Sequence, residues 1–386
     1  MTGLSAAQPL GWDVAATSGP SGRAHAAMAY QVHHATTVLF GGIQSNNIVL
    51  DDTWLWNGTS WSEVPGVGPR PAARAAHRLV YDSTRGVCVL FGGEVPGGGL
   101  GEHLADTWEW DGTQWGAKPL QGPEGRSLHA MAFDASRGRV VLHGGARGLA
   151  YFGDTWEYDG VAWSRVNVAG PGSRASHAMA YDAKRRVTVL FGGGRSAVSG
   201  DEVAETWEFD GVAWRQRVAE GPVARRHHAM YFDPDVGGVL VVGGMDAARV
   251  RLLGDTWAWD GREWWELPGQ PLSARALHAA AYDASRREAI VFGGHAGAVA
   301  PVLDDTWRRL ADCRISRQPR DQSATSDAPV TFVIEVASPP ACTNPVTYQW
   351  QRRNPTVADP AARDAWIDLN DGAGIFGSRA PNLTIL

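Results

Sequence analysis

Arginines and acidic residues recur along the 386-residue chain in two columns, each repeated about every 50 residues. One arginine precedes a short alternating apolar segment in each repeat, and one acid begins an acid-Thr-Trp tripeptide. The two groups can form ion pairs inside the fold, or the arginines can bind an anionic or carbohydrate ligand. Both interpretations stay open from the sequence. The arginines are Arg23, Arg74, Arg126, Arg174, Arg225 and Arg275, and the acids are Asp52, Asp106, Asp154, Glu205, Asp255 and Asp305.

Histidines form a third column, three residues after the arginines. Alternate residues of a strand share a face, so His177 and Met179 lie on a bulky face, and Ala178 and Ala180 lie on a small one. This alternation predicts histidines that are buried and hydrogen-bonded between neighbouring units, with a ligand-binding or catalytic role as the alternative. The column consists of His77, His129, His177, His228 and His278, and the first repeat instead has Ala26 there with His25 one place earlier.

A double glycine closes an apolar run six times, at intervals of 51, 52, 48, 51 and 50 residues. We expect these glycines to take positive φ and to admit the ring of a neighbouring Trp. In five repeats the Trp of the tripeptide is followed seven residues later by a second Trp, which the last repeat lacks. The N-terminal segment aligns at an offset of 151 residues and places Trp12 in the column of Trp163. Trp12 is therefore expected to supply the missing strand of the last repeat.

Each repeat contains four strand-like segments separated by turn residues, as in HAMAYD, VTVLFGG, TWEYD and the residues around the second Trp. Four strands in a period near 50 residues are typical of a propeller blade. The sequence thus predicts an all-β, six-bladed β-propeller whose last blade is completed by the N-terminal strand. In this architecture the arginine column would lie as a polar ring at the mouth of the central channel.

At residues 9–311 the chain resembles the kelch-repeat family, through its double glycines and its Trp-x6-Trp pairs. The resemblance implies a six-bladed propeller. A binding scaffold is the first functional hypothesis for this propeller. Galactose oxidase and six-bladed sugar mutarotases share related folds, so an enzyme acting on sugars, mutarotase-like or oxidase-like, is the alternative.

The repeat ends near residue 311, and residues 312–328 have the composition of a linker. Residues 329–386 resemble the immunoglobulin-like modules of bacterial secreted proteins, with Trp350 as the expected core Trp. The last two strands of such a sandwich are not found in the sequence, which predicts an incomplete Ig-like domain. Cys88, within VCVLFGG, is expected to be a buried free thiol, and pairing of Cys313 with Cys342 is left open.

The formal net charge of −6 gives no basic excess of the kind that attracts nucleic acid. No apolar run is long enough to insert into a membrane, and no phosphate-binding glycine motif, metal site or cofactor site is expected. The N-terminus shows no signal peptide. An extracellular or cell-surface location of a bacterial protein is nevertheless the expectation, and a cytoplasmic location is left open.

Loops between each glycine pair and the following acid vary in length and content, with 9, 12, 8, 11, 10 and 10 residues. Variable loops at one end of a rigid scaffold commonly carry binding residues. The sequence therefore predicts a non-catalytic recognition scaffold that binds a protein or glycan partner there. The candidate contacts are Asn46, Asn47, His103, Tyr151, Phe152, Arg195, Arg249, Arg251 and His295.

Overall fold

Six four-stranded antiparallel sheets account for the first 310 residues, and a separate unit spans Ala311–Leu386. The computed structural model describes residues 11–95, 102–197, 200–246, 251–297 and 301–310, together with seven short strands of the second unit. Among these residues no helix is long and apolar enough to cross a bilayer. The architecture confirms the prediction of an all-β, six-bladed propeller.

The blades follow one another along the chain, and each runs from an inner to an outer strand. Blade 1 contains β2 (Ala27–Gln31), β3 (Thr36–Phe40), β4 (Thr53–Trp56) and β5 (Trp61–Glu63). Blade 2 contains β6 (Arg78–Asp82), β7 (Val87–Phe91), β10 (Thr107–Trp110) and β11 (Trp115–Lys118), with the small hairpin β8 (Glu94–Val95) and β9 (Glu102–His103). Blade 3 contains β12 (Ala130–Asp134), β13 (Arg139–His143), β16 (Thr155–Tyr158) and β17 (Trp163–Val166), with the small hairpin β14 (Ala146–Arg147) and β15 (Ala150–Tyr151).

The remaining three blades repeat this order. Blade 4 contains β18 (Ala178–Asp182), β19 (Val187–Phe191), β20 (Thr206–Phe209) and β21 (Trp214–Arg217). Blade 5 contains β22 (Ala229–Asp233), β23 (Gly238–Asp246), β24 (Arg251–Trp259) and β25 (Trp264–Glu266). Blade 6 contains β26 (Ala279–Asp283), β27 (Glu288–Phe292), β28 (Thr306–Leu310) and the N-terminal strand β1 (Trp12–Ala16).

Strand β1 closes the ring by pairing antiparallel to β28, with Trp12 opposite Arg309 and Val14 opposite Trp307. The Trp12 backbone N–H also donates to the Gln270 carbonyl at 3.0 Å. Its indole ring is buried, and the indole N–H donates to Thr256 of blade 5 at 3.0 Å. The expectation that the first segment completes the last blade is therefore confirmed.

Large side chains of one blade pack against small side chains of the preceding blade. Met28 of blade 1 packs against Ala279 and Ala281 of blade 6, and Met179 of blade 4 packs against Ala130 of blade 3. This is the nesting that the alternation in the inner strands predicts. Burial of these apolar faces between blades stabilises the ring by roughly 25 cal/mol per Å² of apolar surface removed from water.

The glycine pairs take positive φ as expected, but their close neighbour is not a Trp ring. A Cβ added at Gly144 would lie 2.6 Å from the Arg174 carbonyl oxygen and 2.9 Å from the His177 ring of the next blade. The glycines that do contact Trp rings, such as Gly122 against Trp163, precede the arginines instead. The paired glycines therefore make room for the neighbouring inner strand and its histidine.

Two ends of the ring differ in their connections. One end, here called the turn face, carries the tight turn after the first strand of each blade and the tight turn after the third strand of blades 1 to 5. The other end, here called the loop face, carries the connections between blades together with the described residues of the variable loops, which are 43–51, 94–95, 102–105, 146–153, 194–197, 200–204, 245–246, 251–254, 295–297 and 301–304.

A second arginine set ties neighbouring blades together on the turn face. Arg137 of blade 3 bonds to Asp134 and Glu157 of its own blade, and an added Cβ at Gly211 of blade 4 would meet its guanidinium at 2.3 Å. Blade 5 has Val236 at this position. Blade 6, which follows blade 5, lacks the turn after the third strand that would carry the contacted glycine, because its outer strand comes from the N-terminus.

The described residues of the second unit form seven short strands in three small antiparallel sheets. In chain order they are β29 (Ile315–Arg317), β30 (Val330–Val333), β31 (Glu335–Val336), β32 (Gln351–Arg353), β33 (Trp366–Asp368), β34 (Ile375–Phe376) and β35 (Asn382–Ile385). Strand β29 pairs with β31, β32 pairs with β33, and β35 lies between β30 and β34. Trp350, Cys313 and Cys342 lie outside the described residues, and the Ig-like module stays a prediction.

Trp12→Ala should lower the free energy of unfolding by about 3–5 kcal/mol, because it removes a buried aromatic ring and opens the contact between β1 and blade 5. Urea titration followed by Trp fluorescence measures the change. Val14→Ala in the same strand is the control, because Val14 is 48% exposed and should change stability by less than about 0.5 kcal/mol. Equal stability of the two variants would contradict closure by β1.

Candidate functional site

The arginine and acid columns meet as an ion pair in every blade, with N–O distances of 2.6–2.7 Å. In blade 3 the two terminal nitrogens of Arg126 hold both oxygens of Asp154, and one of them also donates to the Gly144 carbonyl at 3.0 Å. The indole N–H of Trp156 donates to the same carboxylate at 2.7 Å. The pairs are Arg23–Asp52, Arg74–Asp106, Arg126–Asp154, Arg174–Glu205, Arg225–Asp255 and Arg275–Asp305.

These six arginines are fully buried, with exposed fractions of 0 or 1%. Their guanidinium groups donate to the acid and to the carbonyl of the first glycine of each pair. In all six blades they also donate to a further loop carbonyl. The structure therefore does not place them as a solvent-facing polar ring at the channel mouth. Of the two interpretations of the columns, the described contacts agree with internal ion pairs.

Burial by itself raises the pKa of the Asp154 carboxyl, but the hydrogen bond and charge of Arg126 outweigh it. Together with the Trp156 indole N–H they hold this pKa below its ordinary value. Asp106, Asp255 and Asp305 have lowered pKa values for the same reasons. These acids are thus ionised at neutral pH and are unsuited to act as proton donors there.

The threonine of the acid-Thr-Trp tripeptide has a role that the sequence analysis missed. Its hydroxyl accepts the indole N–H of the outer-strand Trp of the next blade, at 2.8–3.0 Å in all six blades. Trp61 of blade 1 donates in this way to Thr306 of blade 6. The constant order of this threonine and the two tryptophans that follow it in five repeats was the available signal, but the bonded pair belongs to two different blades and meets only in the closed ring.

The histidine column is buried between blades as predicted, but it is not hydrogen-bonded. In blade 4, burial lowers the pKa of His177 well below its ordinary value, and the nearby His143 and Arg174 lower it further. The ring of His77 packs edge-on against Phe40, whose carbonyl raises its pKa without reaching hydrogen-bond geometry. These histidines are therefore neutral packing groups.

Backbone hydrogen bonds form a closed ring around the centre of the propeller, each from an N–H of one blade to a carbonyl of the preceding blade at 2.9–3.0 Å. All six members have positive φ, although none is glycine. They are His25, Ala76, Leu128, Ser176, His227 and Leu277. The ring narrows the channel at the loop-face end, where the side chains of His25 and His227 meet with 5.8 Å between ring centroids.

The predicted contact residues lie in the loops of different blades. Asn46 and Asn47 are exposed in the loop of blade 1, where the Asn46 side chain accepts the Ile48 N–H at 3.2 Å. Arg251 is exposed at the start of β24, and Arg249 lies outside the described residues.

His103 joins the loops of two neighbouring blades. Its ring lies 3.5 Å from the Glu94 carboxylate and accepts the Gly148 N–H of blade 3 at 3.4 Å. The Ser127 hydroxyl donates to Glu94 at 2.9 Å. The loops of blades 2 and 3 are therefore linked by polar contacts.

Phe152 and Arg195 extend the buried ion pairs toward the surface. The Phe152 ring lies 3.9 Å from the Arg126 guanidinium carbon, and Arg195 forms an ion pair with Glu205. Tyr151 and His295 are half-buried at the bases of their loops. Within the described residues, the predicted contacts are thus spread around the loop face and do not converge on one pocket.

Asp154→Asn should cost about 3–5 kcal/mol at pH 7, because it leaves the buried Arg126 without a counter-charge. The folded-state pKa of Asp154 is lowered, so its contribution is complete above the unfolded value near 3.9 and is lost as pH falls through the folded value. The deficit measured by urea unfolding should therefore be constant from pH 7 to about 4 and shrink below it.

Glu124→Gln is the matched control, because Glu124 forms an exposed pair with Arg147 at 3.8 Å and should contribute less than about 0.5 kcal/mol. A cost for Asp154→Asn no larger than that of the control would contradict the buried pair.

Comparison with known proteins agrees with this geometry. Residues 24–215 match the family model described as KLHDC2/KLHL20/DRC7 Kelch-repeats domain. No curated protein shows a significant match to the chain. A solved structure titled "Structure of YjhT" is 14% identical, covers 75% of this chain and 95% of its own, and superposes with a TM-score of 0.59, which shows a shared fold. The chain thus contains a kelch-repeat β-propeller of six blades.

Proposed function

We propose that the propeller is a non-catalytic recognition scaffold that binds a protein partner through its loop face. The observation that carries this proposal is that the repeated charged and aromatic residues are bonded inside the blades. The six arginines form ion pairs with their acids, and the acids accept the indole N–H of the first Trp of each pair. The second Trp of each pair donates to a threonine of the neighbouring blade. Groups that differ from blade to blade and remain exposed are concentrated in the loops.

The loop face offers several kinds of contact over a wide area. Leu149 of blade 3 is 80% exposed, Ile48 of blade 1 is also exposed, and Arg251 presents a positive charge from blade 5. Between the loops of blades 1 and 6 lies a groove of about 460 Å³ that is lined by Asn46 and Val302, among others. Such a mixed surface supports contact with a protein, which typically covers about 800 Å² per partner.

Kelch propellers typically bind proteins, which also supports a protein partner for this chain. A glycan ligand is the other outcome that the binding test must distinguish. Enzymatic action on a sugar would require an acid and a base that converge in one pocket. The six acids of the acid-Thr-Trp tripeptides are instead bound to arginine, and this favours the scaffold.

Photo-crosslinking tests which face is used. A photoreactive amino acid is placed at Leu149 or Asn46 on the loop face, and at Val212, which is 76% exposed on the turn face, as the matched control. After irradiation in a lysate of the source cells, the two loop-face positions should give the same discrete protein adduct and Val212 should give none.

Adducts at Val212 alone would contradict the proposal. So would binding on a glycan array without any protein adduct, or turnover of a sugar by the purified chain.

A further inference from the structure

One position of the inner strands departs from the repeat in a way that the scaffold does not require. The first residue of the inner strand is alanine in five blades, at Ala27, Ala130, Ala178, Ala229 and Ala279. In blade 2 it is Arg78. An arginine is far larger than the alanine that packs against the next blade elsewhere, so its side chain extends into the central channel.

The channel contains a cavity of about 470 Å³ beside Arg78. Its walls are the inner strands, with methyl groups of alanines, side chains such as Met131 and Met179, and aromatic rings such as Tyr181. The lining reaches Val32 and Ser83 in the hairpin turns, so the cavity opens on the turn face. At its other end the ring of six backbone hydrogen bonds narrows the channel.

Arg78 is a cation without a counter-charge. Its terminal nitrogen donates to the His77 carbonyl at 3.3 Å, and among the described residues no carboxylate forms an ion pair with it. Burial lowers the pKa of Arg78 to about 10, so it stays charged at neutral pH. The six arginines of the arginine column, in contrast, each have an acid within 2.7 Å.

Nothing else that lines the cavity in the described part of the chain offsets this charge. The lining contains no Asp or Glu, and its two histidines are His228 and His278. Burial lowers the pKa of His278 to about 3 and that of His228 well below its ordinary value. At neutral pH the cavity therefore carries one positive charge, on the half-buried Arg78, among side chains that are mostly alanine, methionine and tyrosine.

We propose that this channel cavity is a binding site for a small organic carboxylate, which Arg78 anchors. A planar carboxylate accepts two parallel hydrogen bonds from a guanidinium group, and such charge-assisted bonds are the strong ones. The alanine, methionine and tyrosine walls fit an apolar body of the ligand. Entry from the turn face makes the site independent of a partner on the loop face.

Isothermal titration of the full chain with benzoate tests the proposal, and benzamide is the uncharged ligand of nearly the same shape. Wild-type protein should bind benzoate, and benzamide should bind at least about 10-fold more weakly. Arg78→Ala restores the residue of the other five blades, and Arg78→Gln keeps much of the length without the charge. Both variants should weaken benzoate binding by about 10- to 100-fold.

Thermal unfolding without ligand separates an anchoring role from a structural one. Arg78→Ala should unfold at the same or a higher temperature than wild type, because it removes an uncompensated charge from an apolar cavity. Arg215→Ala removes an arginine that is 59% exposed and should leave benzoate binding unchanged. The proposal is overturned if benzoate fails to bind at millimolar concentration, if benzamide binds equally, or if both Arg78 variants retain wild-type affinity.

Discussion

Closure of the ring is the constraint on which the rest of the structure depends. Each blade presents a bulky face and a small face, and both faces are buried only when a neighbouring blade packs on each side. The indole-to-threonine hydrogen bond fixes the register of these contacts six times, including the step from Trp61 to Thr306. Because β1 completes blade 6, the two ends of the propeller segment are held in a single sheet, and no blade is left with an open face.

This constraint decides which residues are available for function. The buried arginine of each blade donates to its acid and to the glycine carbonyl before the variable loop. The same acid accepts the indole N–H of the Trp in its tripeptide. Removing any member leaves a buried polar group unpaired, so these columns have little freedom to take up a ligand. The variable loops and Arg78, the exception in the alanine column, are outside this framework. The proposed partner face and the proposed carboxylate site therefore lie where the repeat is broken.

Period and alternation were sufficient to predict the blades, the place of Trp12 and the nesting of methionine on alanine, because these follow from local pattern and count. Contacts between blades were harder to predict from the sequence. The role of Thr306 and the packing of Gly144 against His177 involve residues that meet only after closure. The central ring was not predictable, since Leu128 and its equivalents adopt positive φ although glycine is the residue usually expected there. Arg78 was visible as an exception in an alanine column, but its position in a cavity required the structure.

Native-state hydrogen exchange on the full chain tests closure most directly. We expect the Trp12 amide, bonded to Gln270, and the β1 amides that bond to β28 to exchange with free energies close to those of the central amides of β27. All of them would then be released in one cooperative opening. Fast exchange of the β1 amides together with slow exchange of the β27 amides would contradict closure by β1, because the propeller would then keep its fold without the N-terminal strand.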